Sequence, residues 1–301
     1  MDNIEFQRLT QASQDNINVK IIADSIAPNN CRLITMQWTY PRFIHSEIMT
    51  HRKLSKNSAS SRAIPLKKMI ERVQKNPVFP IHWGKNQKGM QASEELELEQ
   101  KLNAAEQWMA ARDAAIIKAI ELEHIGIHKQ IGNRLLEPWM WITIIVSATN
   151  FENLFALRCH PAAEPHFQNL AYKVRNEIDN SKPTNLNWGE WHLPLYGVNG
   201  GMPADYLEDN AGEYLKPAQI SAGRCARVSY LTHDGKRDIK EDIRLYEQLS
   251  NSVPLHASPF EHPAKAVDPN NNKLDWGNFD PGWFQFRKMH DNENITCRIL
   301  S

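Results

Sequence analysis

Residues Thr50–Arg62, THRKLSKNSASSR, bring four serines, a histidine, an asparagine and two arginines into one short stretch. Hydroxyls and backbone amides supply directed donors, and Arg52 and Arg62 supply charge and forked hydrogen bonds, which is the equipment a phosphate or nucleotide requires. A solvated serine loop has the same composition. Its surroundings argue for the first reading, because a linker rarely sits between an apolar-aromatic strand and a helix.

That strand is legible upstream. VKIIADSI from Val19, a turn at PNN, and CRLITMQWTY ending at Tyr40 show rough apolar and polar alternation, the pattern of paired strands. RFIHSEIMTHRKL then reads as a helix carrying Ile44 and Ile48. Downstream, Pro65 followed by LKKMIERV has the form of a proline-started helix. Glu94 to about His124, rich in Ala, Glu, Leu and Lys, predicts a long amphipathic helix. Further helices are expected over Phe151–Arg158, His166–Ile178 and RDIKEDIRLYEQL. Between them, about 179–216 is crowded with Gly, Pro and Asn and reads as a loop-rich insertion in a single catalytic domain spanning 1–301.

Composition bounds the class. The chain has 301 residues, 41% hydrophobic and 23% charged, so it carries enough apolar material for a large core. Thirty-five basic residues balance thirty-five acidic ones, so no whole-chain field draws in nucleic acid or an anionic membrane. MDNIEFQRLTQASQ does not have the form of a signal peptide, and WMWITIIVSA from Trp139 is about half the length that spans a bilayer. Cys31, Cys159, Cys225 and Cys297 are scattered without a CxxC pair, as in a reducing compartment. A cytoplasmic enzyme is the expected class.

Other polar constellations have plainer readings beside the functional one. SAGRCARVSY precedes a helix and then LHASPFEH, where His256, Ser258, Glu261 and His262 crowd around a proline and a phenylalanine. The spacing is poor for a metal, and His124 and His128 lack an HExxH pattern, so no metal site is expected. Arg134 in NRLLEPWMW and Arg158 in NLFALRCHP are embedded among apolar residues. Each needs a partner, either a glutamate such as Glu137 or Glu164 or an anionic ligand. Cys225 reads as a buried structural thiol. The aromatic and basic GWFQFRK near the C-terminus reads as a packed chain end rather than a surface for stacking bases.

Together these blocks resemble the flavin-dependent thymidylate synthase family, the thymidylate synthase complementing proteins. Its signature is Arg-His-Arg, seven residues, then Ser-x-Arg. His51, Arg52, Ser60 and Arg62 match it, with Ser55 and Asn57 in its Ser-x-Asn interior. ARVSY and HASPFEH match two further blocks, but HASPFEH follows the signature instead of preceding it, as in a circularly permuted branch. Thr50, Ser58 and Ala63 depart from the signature, and Ser147 and Thr149 stand where the family often has Asn and Arg.

The resemblance implies an α+β fold with a central, mostly antiparallel sheet and long helices. It implies methylation of dUMP to dTMP, with methylenetetrahydrofolate as carbon donor and FAD and NADPH as redox partners, in a homotetramer with shared active sites. It assigns His51, Arg52, Asn57, Asn153, His256 and Ser258 to the flavin. Ser60, Ser61, Arg62 and Arg134 go to the pyrimidine nucleotide, and Arg158 to the ionised pyrimidine as the catalytic residue. The departures leave two alternatives: methylation or hydroxymethylation of another pyrimidine nucleotide such as dCMP, or an inactive nucleotide-binding homologue.

Overall fold

The computed structural model describes residues 1–197, 216–230 and 238–293. Its centre is a five-stranded sheet in the order β3-β4-β2-β1-β5, where β1 is Asn18–Ile26, β2 Arg32–Pro41, β3 Ser55–Ser58, β4 Trp141–Ala148 and β5 Thr184–Asn185. Every pairing is antiparallel except β1 with β5. The expected α+β class and mostly antiparallel sheet are therefore present. The alternation read in the sequence of β2 sorts its residues between two faces.

One face presents Ile34, Met36, Trp38 and Tyr40 of β2 beside Ile142, Ile144, Val146 and Ala148 of β4. Three helices cover it: α2 (His45–Met49), α6 (Glu152–Arg158) and α7 (Pro165–Asn180), which bring Ile48, Leu154, Phe167, Leu170 and Val174 into the same core. The helix read from Arg42 is shorter than its sequence promised. A 3-10 turn over Arg42–Ile44 leads into α2, and the chain leaves the helix at Thr50, whose hydroxyl turns back to the carbonyl of Glu47 at 2.6 Å.

The other face carries Thr35, Gln37 and Thr39 of β2, Thr143 and Ser147 of β4, and Ser55 and Asn57 of β3. Part of it lies under α8 (Lys216–Tyr230) and a second sheet of β6 (Trp191–His192), β7 (Ala264–Ala266) and β8 (Trp283–Gln285). SAGRCARVSY, unassigned from sequence, forms most of α8. Gly223 explains why a helix tolerates such a residue here: a Cβ on it would lie 2.2 Å from the carbonyl oxygen of Asp242, in α9 (Ile239–Ser250). Close approach of two backbones outweighs the ~1 kcal/mol that glycine costs within a helix.

The remaining helices frame this core. α1 (Asn3–Asn16) is N-capped by Asp2, and α3 (Leu66–Lys75) follows Pro65, which serves as its N-cap. The long α4 (Leu98–Ile125) opens on a Glu97–Gln100 capping box, four residues later than Glu94, and ends at Gly126 with φ 85°, ahead of the one-turn α5 (Lys129–Gly132). Only Ala105, Ile116 and Ala119 of α4 are buried, so its apolar residues do not all face the core. Near the C-terminus Trp283 and Phe286 are buried, and Arg287 and Lys288 pair with Glu261, Asp275 and Glu293. Cys297 and residues 198–215 of the loop-rich insertion lie outside the described residues.

Candidate functional site

The stretch that opens the sequence reading is not a loop throughout. Ser55–Ser58 pairs antiparallel with β4 as the edge strand β3, in register Ser55 with Ser147 and Asn57 with Ile145. Its alternation aims Asn57 at the α8 side of the sheet, where the residue is buried. There Asn57 Nδ2 donates to the carbonyl of Cys225 at 2.8 Å, and Ser258 Oγ donates to Asn57 Oδ1 at 3.1 Å. A single side-chain amide thus joins three separated blocks: the serine-rich stretch, the ARVSY helix and the HASPFEH turn. Cys225 is fully buried, and burial raises its thiol pKa, which fits a structural role.

A second cluster gathers ahead of β3, beside α2, α6 and α7. Arg158, at the end of α6, donates from Nε to His51 Nε2 at 3.1 Å and from Nη1 to Glu47 Oε2 at 3.1 Å. Its guanidinium carbon stands 4.4 Å from the centre of the Phe167 ring, within reach of a cation–π contact. Nη2 makes no protein hydrogen bond among the described residues. The expected partner Glu164 instead caps α7 and binds His166, so the sequence named the wrong glutamate. Glu47 is 111 positions away from Arg158, and only the packing of α6 beside α2 reveals the pair.

Charge in this cluster is tuned by burial. Desolvation, then Arg158 and Lys56, lower the His51 pKa to about 4, so its imidazole is neutral at pH 7 and offers Nε2 as an acceptor. Lys56 donates to the His51 carbonyl, and burial lowers its pKa to about 8, opposed by Glu261. The sequence reading passed over Lys56. Its signal was a basic residue set between a hydroxyl and an amide, Ser55 and Asn57.

Ser60, Ser61 and Arg62 lie at a 3-10 turn over Ser61–Ala63, immediately after β3. Asn133, also missed in the sequence, fastens this turn: its Nδ2 donates to the carbonyls of Ser61 at 2.6 Å and Ile64 at 3.0 Å. Asn133 is fully buried, so Asn133→Ala leaves two carbonyls without a donor and is expected to cost ~1–3 kcal/mol. Urea unfolding of the variant measures this.

Other assigned residues are not drawn in. Arg134 is exposed and pairs with Glu137 at 2.9 Å, the plainer of its two readings. Arg62, Asn153 and His256 are exposed, as is Arg52. Arg52, Asn153 and His256 make no side-chain hydrogen bond or ion pair among the described residues, which leaves their donors open to a ligand. Ser147 and Thr149 are engaged internally: Ser147 with Thr35 and His262, Thr149 with Asp280 at 2.7 Å. Among the described residues no group of three His, Cys, Asp or Glu is placed to hold a metal, and no helix is long and apolar enough to cross a membrane.

No protein-family model matches the sequence, and no curated protein does. Among solved structures the chain is similar to the UMP/dUMP methylase PolB from Streptomyces cacaoi. Against the form bound with 5-Br UMP the identity is 13%, covering 54% of this chain and 88% of that one, with a TM-score of 0.42. Against the form bound with 5-Br dUMP the identity is 13%, the coverage 59% and 76%, and the TM-score 0.38. Likeness at that level leaves the chemistry of this chain to its own residues.

Proposed function

We propose that this protein is a flavin-dependent thymidylate synthase, methylating dUMP to dTMP with methylenetetrahydrofolate as carbon donor and NADPH as reductant. The observation that supports it most is the convergence on Asn57 of three blocks that share no neighbourhood in the chain. Residues 168 and 201 positions away meet one amide, so the unusual order of the blocks is compatible with one site.

Within that reading each group has a physical task. Arg158 is oriented by Phe167, His51 and Glu47, and its unbonded Nη2 is free to donate to a uracil carbonyl oxygen, where negative charge gathers as carbon five becomes nucleophilic. Neutral His51 fixes the guanidinium without competing for that anion. Ser60, Ser61 and Arg62, on a turn tied down by Asn133, present hydroxyls and charge to the nucleotide phosphate. Arg52, Asn153 and His256 have donors open to FAD, which when bound supplies the hydride that completes the methyl group. Ile117, Ile125 and Ile131 are exposed by 56%, 78% and 51%, apolar surface that a homotetramer would cover.

Arg158→Ala is expected to lower kcat for dTMP formation by about 10²–10³, the usual effect of deleting one preorganised donor to a developing anion. Steady-state kinetics with dUMP measure this, with Arg158→Lys retaining only part of the rate because a point charge lacks the fork. The absorbance of the purified protein is a second test. Bound flavin, perturbed on adding dUMP, supports the reading, and protein that takes up neither FAD nor dUMP contradicts it.

A further inference from the structure

A cavity of about 940 Å³ lies on the α8 side of the sheet and shares no lining residue with the Arg158 cluster. Lys20, Arg42, Arg72, Lys75, Arg224 and Arg227 line it, and among the described residues no carboxylate does. The nearest compensation stands behind the wall. Arg224 and Arg227 share Asp242, at 2.8 and 2.6 Å, and Arg42 stands 3.8 Å from Glu137, which Arg134 already engages at 2.9 Å. Lys20, Arg72 and Lys75 make no ion pair among the described residues.

The floor is polar rather than packed. Lys20 faces Gln37 across the β1–β2 pair, and Thr39 is bonded to Thr143 at 2.9 Å. An antiparallel sheet often turns such a face to open water. Here α3 and α8 wall it in, and Ser61 adds a hydroxyl from the serine-rich stretch. Half-buried Trp141 supplies flat apolar surface, fixed by Nε1 donating to the carbonyl of Asn76 at 3.1 Å, and buried Trp139 backs the wall.

Like charges collected around a partly enclosed, low-dielectric space repel one another and concentrate anions. Guanidinium groups suit phosphate oxygens, and indole rings suit bases. The size falls within the range of small-molecule sites, ~300–1,000 Å³. Among the described residues six cations stand against two carboxylates, one of them already shared with Arg134, an excess that suits a ligand more highly charged than a nucleoside monophosphate. We propose that this cavity binds a nucleoside triphosphate, with its phosphates on Arg72, Lys75 and Arg227 and its base against Trp141. The cavity meets the proposed dUMP site at Ser61, whereas none of Arg158, His51 and Glu47 lines it.

The test is calorimetric titration of the full chain with ATP, dTTP, tripolyphosphate and a single-stranded oligonucleotide, at low and moderate salt. The expected result is saturable, salt-sensitive binding of a nucleoside triphosphate, tighter than tripolyphosphate. Binding should weaken at least tenfold in Arg72→Ala/Lys75→Ala, two exposed positions whose loss leaves no buried group unpaired, and also in Lys20→Ala. No triphosphate binding, unchanged affinity in these variants, equal affinity for tripolyphosphate, or preference for the oligonucleotide would each overturn it. Arg158→Ala is expected to keep triphosphate affinity within twofold while losing turnover, so failure of this site and failure of the proposed reaction are told apart.

Discussion

Asp242→Ala is expected to lower the unfolding free energy by ~3–5 kcal/mol, the usual cost of removing one partner from a buried ion pair. The carboxylate is fully buried and accepts from Arg224 Nε and Arg227 Nε, whose side chains are only 10% and 15% exposed. Arg224 also donates from Nη1 to the carbonyls of Leu195 at 2.9 Å and Tyr196 at 2.6 Å, so it cannot swing out to water without abandoning them. Without Asp242 two guanidinium groups face each other beside a cavity already lined with cations. The loss falls on the α8–α9 contact, where Gly223 lets the backbones meet. Equilibrium urea unfolding measures the difference. A change below ~1 kcal/mol would mean that water reaches these arginines and screens them as it does an exposed pair.

Acidification is expected to have an effect of similar size without any mutation. His192 and His262 are both fully buried in one polar chain: Ser25 to His192 Nδ1 at 2.9 Å, His192 Nε2 to Thr35 at 2.8 Å, Thr35 to Ser147 at 2.6 Å, and Ser147 to His262 Nδ1 at 2.8 Å. Burial pushes both imidazole pKa values down to about 3. Unfolding releases them to their ordinary value near 6.5, so below that pH the unfolded chain binds more protons than the folded one. Their contribution is complete above about pH 6.5 and is lost as the pH falls toward 3. In between, two protons correspond to ~2.7 kcal/mol per pH unit. His45 and His51, each lowered to about 4 chiefly by burial, steepen the slope in the same direction. Unfolding free energies measured at pH 7, 6, 5 and 4 are expected to fall steeply. A flat profile from pH 6 to 5 would show that these rings are already protonated in the folded protein.

Hydrophobic periodicity made β1, β2, α3 and α7 legible, because in each the core face repeats at the period of the element. It could not reveal β3, since SKNS is poor strand material and becomes a strand only by pairing with the apolar β4. Nor could it reveal α8, whose Ser221, Gly223 and Cys225 weaken helix propensity and serve close packing against α9 instead. The site was partly legible for a related reason. His51, Asn57, Arg158 and Ser258 were found as members of motifs, and the structure brings His51 to Arg158 and Asn57 to Ser258. Glu47, Lys56 and Asn133 were not found, because their importance lies in partners that are remote in sequence or contributed by backbone carbonyls. Arg134 pairs with Glu137 as one of its two readings had it, but its apolar neighbours in sequence did not bury it.

The central claim is the transfer of a one-carbon unit to dUMP. Its most direct test is mass spectrometry of nucleotides after incubating the protein with FAD, NADPH and methylenetetrahydrofolate, offering dUMP and dCMP together. The account predicts dTMP, one methylene heavier than dUMP, with dCMP untouched and the rate of dTMP formation lowered by about 10²–10³ in the Arg158→Ala variant. A modified cytosine nucleotide, or unchanged dUMP from protein that has bound both flavin and nucleotide, would contradict it.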